Sequence, residues 1–487
     1  MNPAAAPSAR PRHFEPFAAG HDARLVPKPE LEAMVVRVFR SFNLVGEEET
    51  SSSRGGNGIG TGAFNITHAA LARFVREVCA LYNDDLAFHN FHHAFTVFAV
   101  SAEIVRAVQG AAPGATNEKQ KRPPLQDIHV LAILLAALCH DVDHPGLSNA
   151  FLNSTRAAQG TGNPASSPAA AESTAAPHRL VARHGGETTS VVEAHHVELT
   201  TRLLHGAGIE NEGGETDEGA AEPPATTAPA AEGGLLSGMA EADAAYAMQL
   251  IEHAIMGTDL AVHKRLTHKL ETLGKVLGFA NAKVLGFDDA EGENEQTPGE
   301  EGKLDDETLA ARIRTAVGED FHHVVVQAIL HAADLSNPTL DFRTCAAWSL
   351  RLCAEFDGSA AREAEWKNNA RATTGEETTT TGTGTGTANC CYKHEYHTGT
   401  GTGTGTGDAG SGGGARGGGD RAGKEEADDV RKKVMPLAKS ETWFVENLIL
   451  PYWSAIAVVY PPLQRHAKRV RETAGIYAAM AAEHERA

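Results

Sequence analysis

Cysteine, aromatic residues and basic charge are all scarce in this chain. Its six cysteines in 487 residues, Cys79, Cys139, Cys345, Cys353, Cys390 and Cys391, form neither CxxC pairs nor a dense framework. That excludes a disulfide-stapled scaffold. The start carries no signal-peptide pattern, and a reducing, cytoplasmic setting is expected. Lysine and arginine number 43 against 63 aspartates and glutamates, for a formal net charge of -20. A nucleic-acid polymer is a poor partner for such a chain, because phosphate backbones demand a basic face. No apolar run approaches the roughly 20 residues that cross a bilayer, so no transmembrane segment is expected.

Apolar content is also missing from whole stretches. Residues 1–25 and about 156–178, 206–243, 286–303 and 367–430 are dominated by Ala, Gly, Thr, Pro, Ser and acidic residues. They bury too little to offset the entropy of ordering. They read as a disordered lead and four insertions into one helical domain spanning 26–475, with 476–487 as a tail. No β-branched run alternates with a two-residue period. Helical spacing instead recurs over Leu31–Phe42, Ala69–Leu81, Phe95–Val108, Asp127–Cys139, Val197–Leu204, Tyr246–Leu277, Leu309–Leu330, Thr344–Phe356 and Ser440–Tyr460. The fold class is all-α.

Against this apolar background stand four polar clusters. They are His89-Asn90-Phe91-His92-His93, His140-Asp141-Val142-Asp143-His144-Pro145-Gly146, Glu193-Ala194-His195-His196, and His331-Ala332-Ala333-Asp334-Leu335-Ser336-Asn337-Pro338. Ionisable groups beside runs such as Leu131–Leu138 are costly unless paired or bound to metal. His89 and His93 are four apart, which on a helix puts both on one face. His140 and Asp141 sit where Pro145-Gly146 marks a turn after a helix, and Asp334 supplies a second carboxylate. Two histidines and two aspartates suit zinc, while a carboxylate shared with a second, largely hydrated ion suits magnesium or manganese. Such a pair holds a bridging hydroxide and clamps phosphoryl oxygens, chemistry that hydrolyses phosphate esters. A lone histidine in an apolar helix is ordinarily a hydrogen-bonded core residue, the reading that fits His68, His129, His253, His268 and His322.

The run His-Asp-Val-Asp-His-Pro-Gly followed by Ser148-Asn149-Ala150-Phe151 resembles the catalytic domain of class I 3',5'-cyclic nucleotide phosphodiesterases. The resemblance covers roughly 65–465 apart from the insertions and implies a compact multi-helix catalytic domain of the HD type. It implies His89 as the general acid, His93, His140, Asp141 and Asp334 as metal ligands, and Asp141 as the bridge to a second ion. It implies that His144, Glu193, His196 and Thr258 orient that ion's waters. Asn337, Leu352, Phe356, Glu441 and Phe444 match the base pocket. The substrate would be cyclic AMP, cyclic GMP or both, the cofactors two divalent ions, Zn2+ with Mg2+ or Mn2+, and a homodimer is left open. A carboxylate such as Glu355 would keep His89 protonated.

The main departure is Glu441, where that family nearly always has glutamine. A carboxylate accepts hydrogen bonds without donating, which favours guanine, with its neighbouring N1–H and N2–H2 donors, over adenine. Two alternatives remain: a catalytically silent cyclic-nucleotide sensor, and an HD-type phosphohydrolase acting on another nucleotide.

Overall fold

The computed structural model describes residues 22–46, 62–110, 123–156, 177–186, 188–207, 233–277, 306–374 and 429–486. Most of the expected lead and insertions, including all of 286–303, lie outside them. Among the described residues the architecture is all-α, and the only extended pairing is an isolated bridge between Val45 and Ile66.

The centre is the helix α4 (Asp127–Cys139), in which every residue from Ile128 to Cys139 is buried. A helix apolar on all sides has no face to offer water and must be surrounded. Three helices that touch it do so: α3 (Phe91–Gly110), α8 (Glu241–Met256) and α11 (Phe321–Asp334). Both α3 and α11 also touch each other, so the ends of three helices converge beside the C-terminal end of α4. Outside this core, α1 (Lys28–Ser41) packs on α2 (His68–Leu81). A smaller apolar cluster, Phe151, Leu152, Leu180, Val181, Val191 and Val192, joins α5 (Asn149–Arg156), α6 (Arg179–His184) and α7 (Val191–His205).

Two stretches expected as single helices are broken. Tyr246–Leu277 becomes α8 and α9 (His263–Val276), separated by a turn in which the Asp259 carboxylate accepts from the Ala261 N–H at 2.8 Å. Leu309–Leu330 becomes α10 (Asp306–Val317) and α11, parted at Gly318, whose φ of +78° lies in the left-handed region that glycine enters without cost. The hydrophobic period runs across both breaks because each pair of helices serves one core, so periodicity alone conceals them.

Other helices outrun expectation. α12 spans Phe342–Thr374, far past Phe356. The C-terminal helix Gln464–Arg486 runs through position 476, and its Tyr477 and Met480 are fully buried. The helical run Asp429–Val459 is long and apolar enough on average to cross a bilayer. Its Tyr452, Trp453 and Ile456 are nevertheless packed into the protein core. Within it, Val445–Ile449 forms a π turn just before Leu450-Pro451. Proline has no N–H to continue the helical ladder, which accounts for the slip in register.

Candidate active site

Four ligand atoms meet at the C-terminal end of α4. His93 lies in the first turn of α3, His140 caps α4 and Asp141 follows it, and Asp334 is the last residue of α11. His93 Nε2 lies 3.1 Å from Asp334 Oδ1 and 3.4 Å from Asp141 Oδ2. His140 Nε2 lies 3.1 Å from Asp141 Oδ2 and 3.6 Å from Asp334 Oδ1. Ligands about 2.0–2.1 Å from a tetrahedral ion are separated by roughly 3.3–3.4 Å, so these spacings fit the edges of one coordination shell. The His140 Nδ1–H donates to the Ala137 carbonyl at 3.0 Å, which leaves the Nε2 lone pair facing the cluster.

The charges of the cluster match its geometry. Burial would raise the Asp141 carboxyl, yet the neighbouring histidines hold it well below the usual range, and Asp334 is likewise lowered against burial by His140 and His93. Burial would lower His140, but Asp141 and Asp334 drive it well above an ordinary histidine. The centre therefore demands positive charge, which a divalent cation supplies better than a proton. His93 and His140 are about 1% and 0% exposed, so water cannot supply the screening. The donors present thus fit a metal ion.

His89 was expected on the same helix as His93. It instead precedes α3, which starts at Phe91, and the two rings lie 5.9 Å apart between centroids. Its Nδ1 is bonded to Glu355 of α12. Burial alone would lower its pKa, but the Glu355 and Asp141 carboxylates outweigh it and raise His89 to about 9. Glu355, despite its own burial, is held at about 2 by His89. His144 stacks on His89 with centroids 4.0 Å apart. Burial and the charge on His89 push His144 well below the usual range, and its Nδ1 accepts from the Gly146 N–H at 3.1 Å. One imidazole of the stacked pair is thereby charged and the other neutral. His89, His144 and Glu355 also lie close enough to hold an ion, as do His93, His140 and Asp141. The oxygens of Glu355 already take three donors, the N–H groups of Phe88 and His89 and the His89 ring.

These groups open on a cleft of about 470 Å³, within the range that encloses small ligands. His144, Glu193, His196 and Thr258 line its polar part, and Asn337, Leu352, Phe356, Glu441 and Phe444 line the rest. His196 donates from Nδ1 to the Val142 carbonyl at 2.7 Å and turns Nε2 toward Asp141 Oδ1, 3.8 Å away. Burial, with Asp259 nearby, raises Glu193 to about 8. Thr258 donates to the Ile255 carbonyl at 2.8 Å. Phe444, just before the π turn, and Ile449, its last residue, both line the cleft. Glu441 is only 3% exposed.

Sequence reasoning passed over some of the residues that support the site. Asn149 donates to Glu193 at 2.7 Å and accepts from the Val192 N–H at 3.0 Å, tying α5 to α7. Its place just after the Pro-Gly turn was the available signal. Asp259 accepts from the Ser190 hydroxyl at 2.6 Å, a contact between residues 69 apart that no local pattern announces. Of the five histidines given an ordinary reading, His129 is buried and bonded to the Gln126 N–H, His253 pairs with Glu319, and His322 bonds the Pro124 carbonyl.

Comparison with known proteins agrees with this geometry. The family model described as 3'5'-cyclic nucleotide phosphodiesterase matches residues 88–164 and 175–383. Curated relatives include 3',5'-cyclic-AMP phosphodiesterase 4C of Rattus norvegicus and of Mus musculus, each 22% identical over 302 residues. The match covers 62% of this chain but 40% of the rat protein and 31% of the mouse protein, so the chain spans well under half of either. Among solved structures, the phosphodiesterase domain of the RhoPDE fusion protein from the choanoflagellate Salpingoeca rosetta aligns with a TM-score of 0.55 and 19% identity. That alignment covers 97% of this chain and 98% of the domain. A second structure of the Salpingoeca rosetta rhodopsin phosphodiesterase domain gives the same score and identity over 95% of its length.

These matches correct the HD-type assignment of the fold. The all-helical architecture is that of the class I phosphodiesterase catalytic domain. The His140-Asp141 doublet supplies only half of the buried cluster. The other half comes from α3 and α11 and depends on how those helices surround α4.

The fit of the four donors predicts tightly held divalent metal. Elemental analysis of purified protein is expected to find at least one such ion per chain. His140→Ala is expected to lose it while retaining its helical circular dichroism.

Proposed function

Because the chain belongs to the 3'5'-cyclic nucleotide phosphodiesterase family, we propose that it hydrolyses 3',5'-cyclic nucleotides to nucleoside 5'-monophosphates. The observation that carries this reading is a buried four-donor cluster and a protonated histidine facing the same cleft. In it, His93, His140, Asp141 and Asp334 would hold the tighter ion, of zinc type, and Asp141 would share a second, magnesium or manganese. Bound there, the ions supply Lewis acidity toward the phosphoryl oxygens and a water acidic enough to attack phosphorus. His144, Glu193, His196 and Thr258 would orient water around the second ion.

His89 is the general acid. The attacking water loses a proton to solvent as its oxygen adds to phosphorus and the bond to O3' breaks, and the proton on Nε2 of His89 passes to O3', so the leaving group departs as an alcohol. Glu355 holds Nδ1 and keeps the ring charged before turnover. The apolar wall of Leu352, Phe356 and Phe444 takes the base, with Asn337 and Glu441 at its polar edge. An intact acid and a full donor set speak against a silent sensor.

The two mammalian relatives are named for cyclic AMP, but Glu441 favours a different balance here. A buried carboxylate gains two hydrogen bonds from the adjacent N1–H and N2–H2 of guanine, whereas the adenine edge pairs one donor with one acceptor that repels it. The reading is therefore selectivity for cyclic GMP, or at least reduced preference for cyclic AMP. The working setting is the cytoplasm, where the cyclic nucleotides are made available.

Three outcomes are expected. With magnesium or manganese the purified protein hydrolyses cyclic AMP or cyclic GMP, and His89→Ala or Asp334→Ala lowers kcat at least about 100-fold, in line with loss of a general acid or a metal ligand; turnover untouched by both substitutions overturns the reading. Glu355→Gln removes the anion that raises His89. The acid form, present below about pH 9 in the wild type, is then lost at lower pH. The alkaline limb of the kcat/KM profile accordingly shifts toward acid, which a pH-rate series measures. Glu441→Gln moves the ratio of kcat/KM values toward cyclic AMP by about tenfold, the scale of one hydrogen bond gained or lost; an unchanged ratio removes Glu441 from selectivity.

A further inference from the structure

The chain carrying His89 into the cleft is gripped by one face of α12. Glu355 accepts from the Phe88 N–H at 2.7 Å and from the His89 N–H at 2.9 Å. One turn earlier on the same helix, Arg351 donates from Nη1 to the Ala87 carbonyl at 3.1 Å. The Ala87 carbonyl and the Phe88 N–H are the two ends of a single peptide group. In a trans peptide they point in opposite directions, so Arg351 and Glu355 together fix the rotation of that plane about the chain. The next residue is His89.

The rest of the face supports the grip. Trp348 meets the Phe88 ring edge-on, with centroids 5.5 Å apart, and the His93 ring at 5.9 Å. The Arg351 guanidinium lies 5.8 Å from the Trp348 ring centre. Residues 348, 351 and 355 occupy one stripe of a helix by their spacing. Apart from Arg351, the Ala87 carbonyl has a longer 3.3 Å contact from Asn90, whose amide bonds chiefly to Leu86 at 2.9 Å.

We propose that Arg351 is a positioning residue for the general acid, acting through the Ala87–Phe88 peptide to hold His89 in register with O3' of the substrate. This rests on the reading of His89 as the acid. Without the Arg351 donor the Ala87 carbonyl keeps only the longer contact from Asn90, and the His89 ring swings about its Glu355 contact. A general acid displaced by a fraction of an ångström to an ångström loses much of its advantage, while the buried metal donors are untouched.

Arg351→Met tests this, because it keeps an apolar stem over Trp348 and removes the donor. Two substrates are compared: the preferred cyclic nucleotide, and its 3'-thio analogue, in which sulfur replaces O3' and leaves as a thiolate that needs no proton. Expected is a fall of about tenfold in kcat on the natural substrate, with KM and metal content within twofold of wild type and less than twofold loss on the thio analogue. Arg351→Lys, which retains a cationic donor, is expected to keep kcat within threefold of wild type. Equal losses on both substrates, an unchanged kcat in Arg351→Met, or a tenfold loss in Arg351→Lys overturns the proposal. His89→Ala separates the two levels of inference. If it loses activity on both substrates alike, the assignment of the acid fails. If it spares the thio analogue and Arg351→Met does not, only the role of Arg351 fails.

Discussion

Two carboxylates, Asp141 and Asp334, are carried to the centre of an apolar helical assembly, and the arrangement around them follows from the need to neutralise that charge. Each buried anion costs several kcal/mol unless it is paired. The helix ends add to the demand. His140 caps α4 and Asp334 ends α11, so the negative poles of two helices face the same point. Two histidine ring nitrogens, that of His140 aimed by its contact to Ala137, complete a setting that favours a cation over any neutral occupant. The burial of α4 is what makes the site possible, because α3 and α11 reach Asp141 only by packing against that helix.

Much of this was legible in the sequence, and the reasons differ from residue to residue. His140-Asp141 could be placed at a helix end because Pro145-Gly146 stops the helix, and Asp334 because Asn337-Pro338 does the same. Those are local rules, and the chain obeys them locally. His89 was misplaced by the same kind of reasoning. A spacing of four suggested a shared helical face with His93, but residues 87–90 are held in a non-helical path by α12, some 260 positions away. The two helix breaks at 257–262 and 318–320 were hidden because the apolar period continues across them. The buried Tyr477 and Met480 were read as tail because Gln464–Arg486 carries many charges and shows its apolar stripe only once its neighbours are in place. The pairing of Ser190 with Asp259, between distant elements, has no counterpart in any local pattern.

Two groups of side chains in the cleft are each organised by buried carboxylates that call for positive charge. Around α4, negative charge is concentrated and cations are called for. Along α12, Glu355 uses its negative charge to retain a proton on His89, and the neutral His144 stacked beside that ring prevents a second proton from competing for the same field. Burial of His93 and His140 on one side, and saturation of Glu355 by three donors on the other, keeps each charge where it acts. The rest of the cleft is built differently. Leu352, Phe356 and Phe444 line it, and Glu441 beside them is 3% exposed. The base preference proposed for Glu441 therefore depends on a different helix from those that carry the four donors.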